Sequence, residues 1–307
     1  MKYRESALQE FVSYWIENIK SRSVKAATLK RLRGEAKALE AFPIAQMRLC
    51  DIRLFDIQEY VNQLVDAGYS LSTIKKQRLI VTAPMRYAYQ TELVDRDYTS
   101  GVKLPVAESV LKTGKDVEAY TEEEQVKLRE YSRKSSSVFG HLTVFLLETG
   151  LRIGEAQALC WSDIDWIRQT VRVHKTFLNG ADDKNNVIQF SPKTRSSARI
   201  IPLSKTALEI LQMLSTKKNG DFIFQRGGNP VSHGGMTKWL KKACVEENIP
   251  CRGIHALRHT FATNCYYKSC DIKILSKMLG HASTSITYNT YINLYGDGLE
   301  EMRRIVN

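Results

Sequence analysis

The hydrophobic positions of this 307-residue chain fall into two regimes. Over residues 5–100 apolar side chains recur three and four apart, the spacing that lines one face of a helix. It predicts four helices: "ESALQEFVSYWIENIK", a basic segment from about Lys25 to Phe42, "LFDIQEYVNQLVDAG" and "SLSTIKKQRLIVTAPMRYAYQTEL". Gly68 reads as a stop, with Ser70 and Ser72 as capping candidates for the last helix. Residues 104–119, "LPVAESVLKTGKDVEA", hold no long apolar period and contain Pro105 and Gly114. Thr121 with Glu124 then spells a capping box, the start of a new helix and a new domain. Helices are expected over about 121–148 and 154–161. The pattern next shifts to period two in "TVRVHKTF", "NVIQFSP" and "ARIIPLS", short β segments rich in Val, Ile and Phe. Helices resume at about 206–215, 235–247, 255–267, 271–279 and 284–295. The expected fold class is mainly α with a small antiparallel β-sheet: a helical domain over 1–104, a linker over 105–119 and a second domain over 120–307.

Charge narrows the possible partners. The net charge is +12, with 17 basic against 12 acidic residues over 1–105 and 28 against 21 over 106–307. An excess spread over both halves suits a protein that grips a polyanion along its length. Lys25, Lys30, Arg31 and Arg33 on one predicted helix, and Lys75, Lys76 and Arg78 on another, are candidate phosphate contacts, though each cluster alone also fits a solvated face. No apolar run is long enough to span a membrane, and "MKYRESALQE" is too polar for a signal peptide, so a cytoplasmic location is expected.

Several chemistries fail on spacing. The six cysteines include no C-x-x-C pair, which leaves neither a zinc site nor a redox motif and makes them reduced, mostly packing residues. His255 and His259 are four apart without the glutamate of a metalloprotease helix. "TGKD" around Lys115 lacks the rest of a phosphate loop. No metal, nucleotide or other cofactor is expected.

Four segments of the second domain carry the remaining chemistry. "TGLRIGEA" sets Arg152 just past a helix-ending glycine, with Glu155 one turn on. "SPKTRSSARIIPL" puts Lys193 where two β segments turn back on each other. "HALRHTFAT" brings His255 and Arg258 onto one helix face. "LGHASTSITYNTYINLYG" supplies His281 and three tyrosines, Tyr288, Tyr291 and Tyr295, among which spacing alone does not choose.

These segments together resemble the tyrosine recombinase (phage integrase) family, over residues 121–295 and more loosely over the helical N-terminal part, as that family's core-binding domain. The resemblance implies a two-domain C-shaped clamp on double-stranded DNA and cleavage through a 3′-phosphotyrosyl intermediate. It favours Tyr291, ten residues after His281, as the nucleophile, with Tyr288 and Tyr295 as packing residues. Tyrosine attack adds negative charge to the non-bridging phosphate oxygens, and Arg152 and Arg258 can each offer them a planar fork of donors, joined by His281. Lys193 is implied as general acid for the leaving 5′ oxygen, His255 as general base, and Glu155 as the partner that orients the basic cluster.

The expected function is site-specific recombination that integrates or excises a mobile element, run by four protomers on two DNA sites and with type IB topoisomerase-like chemistry. Off DNA the chain is expected to be monomeric or weakly associated, and an excision or DNA-bending accessory protein fits as a further partner. The alternatives are an Xer-type resolvase and a catalytically silent DNA-binding regulator of the same fold.

Overall fold

A computed structural model describes residues 3–24, 26–106, 118–178, 187–189, 198–281, 283–285 and 287. Its contacts divide the described chain into two compact units, one ending at residue 106 and the other starting at residue 118.

The first unit is helical. α1 (Leu8–Tyr14) runs on through a wider turn over Trp15–Lys20. α2 (Ala26–Leu39), α3 (Leu54–Asp66) and α4 (Leu71–Gln90) complete it. The spacing of three and four becomes the buried stripe of α3, formed by Ile57, Tyr60, Val61 and Leu64. Tyr60 also donates a buried hydrogen bond to Gln77 Oε1 of α4 at 2.9 Å, which satisfies its hydroxyl inside the core. Of the two capping candidates, Ser70 caps α4, its Oγ accepting from the Thr73 amide at 3.3 Å. Ser72 lies inside the first turn.

The second unit is α-rich with small antiparallel sheets. Its first helix, α5 (Glu122–Ser135), opens on the expected capping box, with the Thr121 amide on Glu124 Oε2 at 2.8 Å and the Glu124 amide on Thr121 Oγ1 at 3.2 Å. The single helix expected over 121–148 is two. Ser136, at φ +45°, breaks it, and Ser137 caps the buried α6 (Val138–Thr149). The expected helix over 154–161 is only α7 (Ile153–Gln157).

Strands β1 (Ile164–Asp165), β2 (Thr170–Val173) and β5 (Arg199–Pro202) form a three-stranded antiparallel sheet in the order β1-β2-β5, with Val171 facing Ile164 on one side and Ile201 on the other. β3 (Thr176–Leu178) pairs separately with β4 (Val187–Gln189). The expected strand "TVRVHKTF" thus splits at His174 and Lys175. Both side chains are drawn to Asp163, His174 Nε2 at 2.9 Å and Lys175 Nζ at 2.8 Å. Then come α8 (Lys205–Ser215), the short strands β6 (Gln225–Arg226) and β7 (Asn229–Pro230), α9 (His233–Glu246), α10 (Ile254–Tyr267) and α11 (Ile272–Leu279). β1, β6 and β7 were not expected, since two residues are too few to show a period. Residues 284, 285 and 287 are helical, where a final helix is expected.

α6 is the axis of this core. Leu142, Phe145, Leu146 and Leu147 are all buried, and Phe145 meets Phe224 at a ring-centroid distance of 5.1 Å.

Candidate active site

The end of α6, the start of α7, strand β5, the face of α10 and the end of α11 meet at one place. Gly150 ends α6 in the left-handed conformation at φ +63°, and Arg152 follows as the residue before α7. Glu155 closes the turn back onto Arg152, accepting from the Arg152 amide at 2.9 Å through Oε2 and from its Nη1 at 2.9 Å through Oε1. The sequence pair is therefore a local clasp at a helix start, which fixes the guanidinium by its own backbone.

Arg258, one turn after His255 on α10, is 4% exposed. Its Nη1 donates to the Gly150 carbonyl at 2.9 Å and its Nη2 to the Leu279 carbonyl at 2.7 Å. Arg152 reaches the same helix end, with Nη1 on Leu279 O at 3.5 Å and Nη2 on Gly280 O at 3.3 Å. A third arginine, Arg199 of β5, donates from Nε to Met278 O at 2.6 Å. Three guanidiniums thus meet three consecutive carbonyls at the carboxyl end of α11, where orphan acceptors and the helix dipole favour cations. Gly280 then turns the chain at φ +66° and delivers His281.

Glu155 is 6% exposed and lies between Arg152 and Arg199. Burial opposes its charge, but the hydrogen bonds and charge of Arg199, followed by the charge of Arg152, outweigh it and hold the carboxyl below the usual carboxylate range.

The histidines are shifted down as well, which for an imidazole disfavours the charged form. Burial, then the charges of Arg258, Arg152 and Arg199, push His281 down to about 4. His281 is therefore a neutral imidazole at pH 7. Its Nδ1 is 2.7 Å from the hydroxyl of the buried Thr287; with that hydroxyl as donor, the ring proton sits on Nε2. His255 is exposed, and its ring meets His259 edge to face at 4.9 Å. The protein packed against the His255 ring, then the charges of Arg258 and Arg152, lower its pKa as well, which keeps it neutral and able to accept a proton.

The structure therefore brings together Arg152, Glu155, Arg258 and His281, with His255 on the α10 turn preceding Arg258. Lys193 and Tyr291 lie outside the described residues, as does Lys25. Of the other candidate phosphate contacts, Lys30, Lys75 and Lys76 are exposed, and Arg78 is half-buried. Arg33 instead turns its fork onto Glu17, Nε to Oε1 and Nη2 to Oε2, both at 2.7 Å, and Arg31 pairs with Glu35.

Sequence reasoning gave no role to Arg199, Thr287 or the Asp163, His174 and Lys175 cluster. Arg199 had a signal, as the last residue of the P-K-T-x-x-S-x-R pattern beginning at Pro192. Thr287 had none. Nor had the cluster, whose acid and bases lie 11 and 12 positions apart.

A clasped arginine, a second and buried arginine, and a neutral histidine therefore meet around one helix end. The Phage integrase family profile matches residues 118–296, and the chain belongs to that family. The chain is 26% identical over 322 residues to a XerC-like tyrosine recombinase of Caldanaerobacter subterraneus subsp. tengcongensis, covering 95% of this chain and 80% of that protein. It is 28% identical over 276 residues to the transposase from transposon Tn916 of Enterococcus faecalis, covering 83% of this chain and 66% of the relative's length. Among solved structures, the Tn1549 transposon integrase in complex with a circular intermediate DNA shares the fold, with a TM-score of 0.81 at 20% identity over 98% of this chain and 99% of that one.

Proposed function

We propose that this chain is the site-specific recombinase of a mobile element, cleaving and rejoining double-stranded DNA with Tyr291 as nucleophile. The observation that carries the reading is the convergence of Arg152, Arg258 and His281 on the end of α11, braced by Glu155. Tyrosine attack on a phosphodiester concentrates charge on two non-bridging oxygens, and fixed donors aimed there are each worth about 2.7–4 kcal/mol in rate. Arg152, with a side chain 40% exposed, meets the phosphate from where it stands. Arg258 does so by exchanging a carbonyl acceptor for a phosphate oxygen, and neutral His281 donates from Nε2. His255, neutral at pH 7, takes the tyrosine proton, and Lys193 returns one to the leaving 5′ oxygen. The 3′-phosphotyrosyl ester keeps the energy of the broken bond, so a second 5′ hydroxyl can reverse the step.

Both units hold the same duplex, the helical one through Lys30, Lys75, Lys76 and Arg78. Four protomers act on two sites in the cytoplasm, and an accessory protein sets the direction of the exchange. The similarity to a transposon transposase supports the mobile-element role, and the similarity to a XerC-like recombinase keeps the Xer-type role as the second reading.

The test is to incubate wild type and Tyr291→Phe with sheared genomic DNA from the source, denature in SDS, and sequence whatever stays attached. A defined set of ends with the wild type alone is expected. Binding without any trapped ends would contradict the reading.

A further inference from the structure

We propose that Arg199 is a positioning residue for strand cleavage: it holds Glu155 and the carboxyl end of α11 together, and through them sets Arg152 and His281 at the scissile phosphate. The inference rests on the reading of this site as one that cleaves DNA.

Arg199 itself is closed off from a phosphate, with a side chain only 3% exposed. Its guanidinium is fully directed inward. Nη1 and Nη2 make a parallel pair of bonds to Glu155 Oε1 at 3.1 Å and Oε2 at 2.8 Å, while Nε donates to Met278 O at 2.6 Å. One planar group therefore ties β5 to the α7 start that carries Arg152 and to the α11 end that delivers His281. The neighbouring backbone is shaped for it: a Cβ added at Gly280 would lie 2.9 Å from Arg199 Nη1 and 3.2 Å from its Cδ. Lysine offers a point charge in place of a fork and cannot reproduce the parallel pair on Glu155.

Without Arg199, Glu155 is left to Arg152 alone. The carboxylate is then free to follow that side chain, and the α11 end loses the donor at Met278. Both changes loosen the donors that face the phosphate, where misplacement by about 1 Å can cost about 100-fold in rate. Binding of the duplex, spread over many contacts, is left nearly intact.

The test uses a duplex carrying the cleavage site, single-turnover formation of the covalent complex, and the variants Arg199→Lys and Gly280→Ala. The second presses on the guanidinium while keeping its charge. With an ordinary phosphodiester, each folded variant is expected to lose about 30-fold or more in rate while its DNA affinity stays within about threefold. With a methylphosphonate at the scissile position there is no phosphate charge for Arg152 to meet, so the gap to wild type is expected to shrink below about fivefold. An equal loss on both substrates, a wild-type rate in the folded variants, or failure of both variants to fold would overturn the proposal and leave Arg199 a role in folding alone. A wild-type protein that forms no covalent complex would overturn the underlying reading of the site instead.

Discussion

Glu155 and Arg199 face each other through two parallel hydrogen bonds of 3.1 and 2.8 Å, both side chains almost fully buried. Removing one member of such a pair leaves a charge without its partner in a place that water hardly reaches. Glu155→Gln is therefore expected to destabilise the second unit by about 3–5 kcal/mol, read from urea unfolding. A loss below about 1 kcal/mol would show that Arg199 finds other acceptors.

Acid should weaken the same unit through its histidines. His281 and His259 both titrate near 4 in the folded chain, each lowered first by burial, against an ordinary value of 6.5. The unfolded chain thus binds protons that the folded chain refuses, so the histidines' contribution to stability falls as pH drops from 6.5 towards 4 and levels off below. Each histidine contributes up to about one proton to that slope. Urea titrations at several pH values should show a shallower slope for His281→Gln; an unchanged slope contradicts the assigned environment.

Gly150 accepts from Arg258 and adopts φ +63°, with a Cβ built there only 2.3 Å from the Phe261 ring. Gly150→Ala is expected to cost about 1–3 kcal/mol by overpacking and more through backbone strain, and to slow cleavage by moving the Arg258 anchor. Unfolding and cleavage assays on the one variant check both.

Thr287 fixes the ring of His281 from 2.7 Å. Thr287→Val keeps the shape and removes the hydroxyl, so cleavage is expected to fall about tenfold while DNA binding is unchanged. Full activity in the valine variant would mean that His281 needs no such partner.

In the helical unit, Lys75 and Lys76 are exposed whereas Arg33 is held by Glu17. The Lys75→Ala, Lys76→Ala double variant is expected to weaken DNA binding and to lower the slope of log affinity against log salt by about two. Arg33→Ala should change that slope little.

What the sequence made legible follows from range. The Arg152 and Glu155 clasp, the Thr121 and Glu124 box and the His255 to Arg258 spacing are local, and spacing of three residues carries them directly. The break at Ser136 was hidden because the apolar period continues on both sides of it. The bond from Arg33 to Glu17 spans 16 positions and that from Arg199 to Glu155 spans 44, distances over which no period operates. The convergence on Met278, Leu279 and Gly280 was hidden for another reason: its acceptors are backbone carbonyls, which every residue carries.

The most direct test of the account is to map the covalent adduct. Wild-type protein trapped on its DNA site is digested with protease and nuclease, and the nucleotide-bearing peptide is fragmented by mass spectrometry. A 3′-phosphonucleotide on Tyr291 is expected. An adduct on Tyr288, on Tyr295 or on a residue outside this segment would contradict it.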